Sequence, residues 1–415
     1  MKIFFRKLQK ILFFIFFLVF LAIVKILKPI VFIRMGQVDL GRIGGIYSLD
    51  WYLSERKYEE NKKKYFDIFF YTFSPIFTNK QWKKMWKRKI LLLPVPLFFG
   101  SIIYFFKKYY FINKHFINDI PVNISGDKLA KFKKKRSEEL ISEENRRLSL
   151  VLKNIDPNIY FTDEETKKGI KLLQELGIPE GKQYVCIHNR DNAYLNYFNP
   201  KRNWNYHNYR SCNINNFLKA AEVLIARGYY VVRVGSKVSE PLKVNDKRFI
   251  DYSLSKFQSD FLDIFLASRC KFFISSDSGI SAIPEVFKIP IVYVNKTFMQ
   301  HIHRWTHNGI YAFKKFYLKS ENRFLKFKEI WDLEWGGSNT MEYFKNLNIE
   351  LQENTPKEIA DLAIEMDEKL NNKSESTKED NLLQEKFWKI FHPNNLRSGN
   401  FKIGKIFLQE NQNLL

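Results

Sequence analysis

Short, strongly apolar runs that alternate with helical segments are the feature that most constrains the fold of this chain. The runs YVCIHNR, YYVVRVGSK, FFISSDSG and IPIVYVN have strand length, and their apolar residues come without regular polar alternation. Strands that are apolar on both faces belong to parallel sheets covered by helices. The sequence therefore predicts an α/β fold with a parallel sheet over residues 161–350.

The helices between these runs carry local start and stop signals. Thr162 and Glu165 have the spacing of a capping box, and Gly177 follows where that helix is expected to end. Asn213 and Ser259 each precede another apolar helical stretch as N-cap residues. These signals divide the chain into repeated strand–helix units.

The first third of the chain repeats the pattern less regularly. A strand around residues 30–34 leads into a glycine-rich loop and a helix, and the apolar runs YFDIFFYTF and ILLLPVPLFF follow. The glycines do not match the G-x-G-x-x-G dinucleotide spacing. We expect an N-terminal domain over residues 29–117, a charged linker over 118–160, and a C-terminal helical tail over 351–415.

Residues 1–28 are interpreted as a membrane-associating helix. Four basic residues precede the apolar run of residues 11–24, which as a helix is ~21 Å long against a hydrocarbon core of ~30 Å. No small-residue cleavage site follows, which disfavours a secretory signal peptide, and a core helix is the other alternative. Lysines flank both ends, so the charge pattern does not reveal an orientation.

The positive charge of the chain is concentrated at its front. Residues 1–136 hold 28 Lys and Arg against 8 Asp and Glu, and so carry +20 of the formal +24. With an apolar N-terminus, this predicts an anionic membrane surface as partner. Nucleic acid is not expected, because no nucleic-acid-binding motif accompanies the charge. Three widely spaced cysteines, Cys186, Cys212 and Cys270, indicate a reducing cytoplasm, hence the cytoplasmic face of the inner membrane.

Polar residues at the predicted carboxyl ends of the strands are the candidates for ligand binding. Hydroxyls, glycines and basic groups at one sheet edge suit a phosphate. The loop RNWNYHNYRSCN adds a guanidinium and aromatic rings for stacking on a base or sugar, or for burial. The donor or nucleotide-binding candidates are His188, Arg190, Arg210, Gly235, Ser236, Lys237, Ser276, Asp277, Ser278 and Gly279.

Simpler interpretations of these residues stay open. Ser276, Asp277 and Ser278 could only cap a helix, Lys237 could be a solvated loop residue, and Arg190 could form a surface ion pair. Asp277 would repel a phosphate, so a hydroxyl or a helix cap suits it better. No P-loop, nucleophile elbow, H-E-x-x-H or kinase motif is present, and HIHRWTH lacks a paired carboxylate or cysteine. We therefore expect no obligatory metal and no cofactor beyond the ligand itself.

Two resemblances accompany these motifs. The stretch SSDSG resembles the donor-site turn of bacterial ADP-heptose glycosyltransferases. The blocks HNRDNAYL, YHNYRSCNI, RVGSKV, IDYSLSKFQSDFLDIFLASRCKFFISSDSG, FLKFKEIW, NTPKEIADLAIEM and KIGKIFLQENQNLL are similar, in order, to those of a family of bacterial glycosyltransferases from surface-polysaccharide gene clusters.

This resemblance implies a GT-B architecture, with two Rossmann-like domains that face a cleft. It implies a nucleotide-sugar donor in the C-terminal domain and a surface-glycan or lipid-linked acceptor near Arg42 and Gly44 of the N-terminal one. Asp39 and, second, Asp191 are the candidate catalytic bases. The family tends to carry a His where this sequence has Gly45, which weakens the prediction for the N-terminal site.

Two other functions remain alternatives at this point. A nucleotide-sugar 2-epimerase or hydrolase of GT-B type would need no lipid-bound acceptor. A basic membrane-bound nucleic-acid-binding or scaffold protein belongs to a different class, and steep salt dependence of DNA binding would reveal it.

Overall fold

The computed structural model of the chain describes residues 2–58, 65–72, 79–96, 138–299, 302, 306–333, 340–373, 376–390 and 401–415. These residues fall into two units. The first unit contains the described residues up to 96 together with 158–160, and the second contains residues 138–157 and those from 161 to 415.

The first unit is a small parallel sheet with helices. Its strands are β1 (Phe32–Gln37), β2 (Tyr65–Thr72) and β3 (Leu92–Val95), in the order β1-β2-β3. Its helices are α1 (Lys2–Leu27), α2 (Tyr47–Tyr58) and α3 (Lys80–Lys89).

Helix α1 contributes to the core of the first unit. Phe17 and Val24, seven residues apart on one face of the helix, are buried. The chain continues directly from α1 into β1, with the Val31 N–H donating to the Leu27 carbonyl. The predicted membrane-associating segment is thus also a packed element of the first unit. Among the described residues, no helix is both long and apolar enough to cross a membrane.

The second unit is built on a larger parallel sheet. Its strands are β4 (Tyr184–His188), β5 (Tyr230–Arg233), β6 (Phe249–Asp251), β7 (Phe273–Ser275), β8 (Ile291–Lys296), β9 (Gly309–Phe313), β10 (Lys315–Leu318), β11 (Arg323–Phe324), β12 (Ile349–Gln352) and β13 (Phe401–Ile403). Seven of them form one sheet in the order β6-β5-β4-β7-β8-β9-β13, and every neighbouring pair is parallel. The first six follow the Rossmann order 3-2-1-4-5-6. Strands β11, β10 and β12 form a small antiparallel sheet.

The helices of the second unit cover this sheet. They are α4 (Glu138–Lys153), α5 (Asp163–Glu175), α6 (Ala193–Phe198), α7 (Leu218–Ala226), α8 (Asp260–Arg269), α9 (Ala282–Val286), α10 (Phe327–Asp332), α11 (Met341–Asn346), α12 (Pro356–Leu370), α13 (Lys378–Ile390) and α14 (Lys405–Glu410). Strands β4, β5, β7, β8 and β9 are almost completely buried, which is why their sequences lack polar alternation.

The local signals for α5 and α8 are confirmed. Thr162 and Glu165 form the reciprocal capping box of α5, and Gly177 beyond its end has a positive φ of 101°. Ser259 accepts a hydrogen bond from the Leu262 N–H at the start of α8. Asn213 caps a short 3-10 turn that leads into α7.

The C-terminal segment differs from the expected helical tail. Residues 351–415 contain strand β13, which extends the main sheet by pairing with β9, and helix α12, which packs against α7. The Lys405 N–H donates to Glu365 on α12, so the last helix is tied to the same core. A parallel edge strand requires a long crossover, and sequence spacing does not reveal it. Residues 97–117 of the predicted N-terminal domain and residues 118–137 of the predicted linker lie outside the described residues.

A glycine in α5 provides a test of this packing. A Cβ at Gly169 would lie 2.2 Å from ring atoms of Phe265, a core side chain of α8. We expect Gly169→Ala to lower the free energy of unfolding by about 1–3 kcal/mol, because overpacking outweighs the gain of ~1 kcal/mol in helix propensity. Urea denaturation measures the change, and Lys167→Ala on the exposed face of α5 is the control. A stabilised Gly169→Ala protein would contradict this packing.

Candidate functional site

The carboxyl ends of β4 and β7 meet at the point where the strand order reverses direction. Backbone and side-chain hydrogen bonds join them directly. The Ser276 N–H donates to the His188 carbonyl at 3.1 Å, and the Arg190 N–H donates to Ser276 Oγ at 2.7 Å. Ligands of open parallel sheets bind in the crevice at such a switch point. Three of the predicted site residues are therefore adjacent here.

The imidazole of His188 is neutral and has a defined tautomer. Its Nδ1 lies 2.9 Å from the carbonyl oxygen of Val234, which only accepts, so Nδ1 carries the proton. Nε2 is then an acceptor, and the hydroxyl of Ser278 donates to it at 3.0 Å. Burial lowers the pKa of His188 to about 4. The histidine thus orients Ser278 at neutral pH without adding charge.

The guanidinium of Arg190 is the most unusual group at the site. The residue is only 7% exposed, and its Nη1 donates to Ser211 Oγ at 2.7 Å and to the His207 carbonyl at 3.3 Å. Its Nη2 is buried and finds no hydrogen-bond partner in the described part of the chain. Burial and the nearby charge of Arg210 lower the pKa of Arg190 to about 10, so it remains cationic at neutral pH. A buried cation with an unused donor is suited to an anionic ligand.

Asp277 organises two further cations beside Arg190. Its carboxylate lies 3.1 Å from Lys296 Nζ, which is almost fully buried, and 3.4 Å from Arg210 Nε. The Arg210 Nε also donates to the Asp277 carbonyl. One carboxylate therefore holds two positive groups, and the charge of this cluster is positive. The repulsion that Asp277 would exert on a phosphate is offset by its two ion-pair partners.

The glycine turn after β5 lies against the same histidine. Gly235 has a φ of 154°, and a Cβ there would lie 3.6 Å from His188 Nδ1. Ser236 and Lys237 follow it toward the surface. The Lys237 ammonium lies 4.6 Å from the centre of the Tyr197 ring, and no hydrogen bond or ion pair joins it to the Arg190 cluster within the described ranges.

The aromatic loop before α7 divides into buried and exposed rings. Trp204 and Tyr209 are buried, and the Trp204 Nε1 donates to the Asn199 carbonyl. Tyr206 and His207 lie with ring centres 4.0 Å apart and are partly accessible. Burial therefore accounts for the first pair of rings, while the second pair stays available for contact with a ligand.

The carboxylate of Asp191 accepts two backbone hydrogen bonds. Its Oδ1 accepts the Ala193 N–H at the start of α6, and its Oδ2 accepts the Ser239 N–H, both at 2.9 Å. Oδ2 thus connects the loop after β4 to the loop after β5, while Oδ1 holds the start of α6. This arrangement does not favour Asp191 as a base, since proton transfer would compete with two backbone hydrogen bonds.

The candidates of the first unit lie in the loop between β1 and α2. Asp39 and Arg42 are exposed, Gly44 is partly exposed, and Asp39 Oδ1 accepts the Gly41 N–H at 2.9 Å. A Cβ at Gly45 would lie 2.6 Å from the Asp39 carbonyl oxygen. The loop therefore requires glycine where the resembling family tends to have histidine. The roles of Asp39, Arg42 and Gly44 stay predictions.

Two lysines of the site were missed by the sequence analysis. Lys296 and Lys314 follow the apolar residues of β8 and β9, and both are buried. The sequence signal that could have identified these two residues is a lysine at the end of a buried strand. Within the described ranges, no group of His, Cys, Asp and Glu residues is arranged to hold a metal ion, and His301 and His303 lie outside those ranges.

Comparison with protein-family models finds no match, and neither does comparison with curated protein sequences. Among solved structures, the chain is similar to Escherichia coli ADP-heptose LPS heptosyltransferase II, with 11% identity and a TM-score of 0.35 over 68% of this chain and 90% of that one. A glycosyl transferase of family 9 from Veillonella parvula has 12% identity and a TM-score of 0.37, over 68% and 86% of the two chains. Neisseria meningitidis UDP-GlcNAc 2-epimerase has 10% identity and a TM-score of 0.30, over 82% and 99%. Similarities of this size carry no conclusion about function.

The low pKa of His188 predicts a loss of stability in acid. The unfolded residue titrates near 6.5 and the folded one near 4, so the unfolded state binds more protons in between. Stability present above pH 6.5 is therefore lost as the pH falls toward 4, with about 2 kcal/mol lost by pH 5. Urea unfolding at pH 7 and pH 5 measures this loss.

The matched variant for this test is His188→Asn, which does not titrate. Its stability should depend on pH less steeply than that of the natural protein, by the same ~2 kcal/mol. Equal pH dependence in both proteins would show that folding does not lower the pKa of His188. Comparing the two proteins also removes the opposite contribution of Asp263 and Glu365, whose pKa values burial raises to about 6 and about 7.

Proposed function

We propose that this protein is a glycosyltransferase that uses a nucleotide-sugar donor. The observation that carries the proposal is the buried Arg190, whose unused Nη2 lies at the switch point of a Rossmann-ordered sheet beside Arg210 and Lys296. A diphosphate has the charge and the oxygen acceptors that this cluster lacks.

The arrangement suits transfer of a sugar because the difficult part of that reaction is charge on the departing nucleoside diphosphate. Pre-positioned cations in a water-poor site stabilise such charge without reorganising as it develops. Arg190 is held by two hydrogen bonds, and Arg210 and Lys296 are held by Asp277. The other residues proposed to contact the nucleotide-sugar donor lie at or just after the ends of β4, β5 and β7. They are His188, Gly235, Ser236, Lys237, Ser276, Ser278 and Gly279.

The acceptor in this proposal is a surface glycan or a lipid-linked saccharide. Asp39 is the proposed base for its hydroxyl, because one of its carboxylate oxygens accepts a single backbone N–H and the side chain is exposed. The nucleotide-sugar donor in this proposal binds to the second unit.

The proposal predicts that Arg190→Ala weakens binding of nucleoside diphosphates about 10- to 100-fold, the loss of a charge-assisted hydrogen bond in a buried site. Calorimetric titration with UDP, GDP, ADP and CMP, and thermal shift with the same ligands, measure the effect. Release of the nucleotide from the matching nucleotide sugar should fall at least as much.

The control for Arg190→Ala is Lys319→Ala, which removes an exposed cation that pairs with Glu350 on the surface. That variant should bind nucleotides as the natural protein does. A folded Arg190→Ala protein with undiminished nucleotide affinity would contradict the proposal. A converted sugar formed without any acceptor would point instead to the epimerase or hydrolase alternative.

The membrane surface enters the proposal through α1. Its exposed residues Leu8, Leu12, Ile15, Val19, Ile23 and Ile26 recur at intervals of three or four and so form one apolar stripe. At 100° per residue, this stripe lies on the side of the helix opposite Phe17 and Val24, which face the core. An apolar stripe beside exposed lysines is typical of a helix that lies in the interface of an anionic bilayer.

Flotation with vesicles tests this part of the proposal. The protein should bind vesicles that contain about one-third phosphatidylglycerol and bind pure phosphatidylcholine weakly. Ile15→Glu should reduce the bound fraction about tenfold, because it places a charge in the inserted stripe. Ile155→Glu, at a residue that is 71% exposed outside α1, is the matched control. Equal binding of both variants would exclude α1 as the contact.

A further inference from the structure

A cavity of about 340 Å³ opens in the second unit next to the Arg190 cluster. Its polar lining comes from Asp191, Asn192, Asn208, Ser211, Lys314 and Glu353. Its volume falls within the ~300–1,000 Å³ that small-molecule sites occupy. Of these six residues, only Asp191 was predicted from the sequence. None of them belongs to the cluster of Arg190, Arg210, Asp277 and Lys296.

Ser211 connects the cavity to that cluster. Its hydroxyl accepts from Arg190 Nη1 at 2.7 Å, while its backbone carbonyl accepts from Lys314 Nζ at 2.6 Å. Ser211 therefore contacts the guanidinium of Arg190 and also lines the cavity. A ligand whose phosphates lie on Arg190 would place its next group at this cavity.

Lys314 supplies hydrogen-bond donors to the cavity. The residue is 2% exposed, and in the described part of the chain its ammonium makes one hydrogen bond, to Ser211. An ammonium has three N–H groups, so two remain for a ligand. Burial lowers the pKa of Lys314, and the nearby Glu353 opposes this shift.

Glu353 and Asn192 supply acceptors. Glu353 Oε2 accepts from the Asn213 N–H and from Asn216 Nδ2, each at 2.9 Å, and Oε1 takes no hydrogen bond from any described residue. Asn192 Oδ1 is buried and lacks a partner among the same residues. Two free acceptors and one free donor group thus face one small space.

We propose that this cavity binds the sugar ring of the donor, an assignment that rests on the proposed function. Sugar hydroxyls both donate and accept, which matches free acceptors on Glu353 and Asn192 and free donors on Lys314. A nucleobase would need an apolar slot, whereas six of the ten residues that line the cavity are polar or charged, and Tyr209, Cys212, Met341 and Leu351 supply the rest. The lining carries one cation, Lys314, and two carboxylates, Asp191 and Glu353, which would repel an acidic sugar. The sugar is therefore a neutral one such as a hexose.

Glu353→Gln separates this subsite from the nucleotide site. Glutamine keeps the shape and one oxygen for Asn213 and Asn216, but presents an NH₂ donor where Oε1 had accepted. Calorimetric titration would compare UDP, GDP, ADP and CMP with UDP-glucose, GDP-mannose, ADP-glucose and CMP-N-acetylneuraminate. Whichever of UDP, GDP and ADP binds, its neutral-sugar conjugate should bind more tightly, and Glu353→Gln should weaken binding of that conjugate about tenfold while leaving the affinity for the nucleotide unchanged. CMP-N-acetylneuraminate, whose sugar is anionic, should bind no more tightly than CMP.

The matched control is Glu350→Gln on β12, whose carboxylate pairs with Lys319 on the surface. It should change neither affinity. Equal losses for nucleotide and conjugate in Glu353→Gln would place the nucleoside in the cavity and overturn the assignment. Unchanged binding of both, or neutral conjugates no tighter than their nucleotides, would also overturn it. If the natural protein binds none of these nucleotides, the proposed function itself is wrong. The same titration shows this before any variant is made.

Discussion

The hydrogen bonds that join the carboxyl ends of β4 and β7 are the interaction on which the rest of the site depends. Ser276 accepts the Arg190 N–H and donates its own N–H to the His188 carbonyl. This pairing fixes where the chain leaves each strand, and so it fixes the backbone from which the side chains of Arg190 and Ser278 extend. The parallel sheet alone would bring the strand ends together without fixing the side chains.

The charges of the site follow a consistent pattern in which buried cations are held by neutral or singly charged partners. Arg190 is held by Ser211 and a backbone carbonyl, and Lys314 is held by a backbone carbonyl. Asp277 pairs with two further cations, Arg210 and Lys296. Because burial of unpaired charge is costly, such a surplus favours binding of an anion. The cavity beside it differs, since the carboxylates of Asp191 and Glu353 line it together with Lys314.

Much of the second unit could be predicted from local chemistry. The capping box at Thr162, the cap at Ser259 and the glycine at Gly177 each act within a few residues, so the sequence contains the whole interaction. The strand-end rule likewise selected His188, Arg190 and Ser278, which the fold brings together. Lys237 was selected by the same rule but lies on the Tyr197 ring. A strand end specifies an edge of the sheet, whereas the direction of a long side chain depends on its packing.

The sequence by itself determined that this chain forms an α/β fold and that phosphate-suited groups follow its buried strands. Apolar periodicity and helix caps depend on residues within a few positions of one another. They can therefore be recognised without knowing which distant residues pack together. The tertiary structure alone decided that Asp277 pairs with Lys296 and Arg210, that Asp191 connects two loops, and that β13 extends the sheet. It also decided that Lys314 and Glu353 border one cavity. Those contacts join residues between 19 and 92 positions apart, and burial, which gives each charge its role, exists only once the chain is packed.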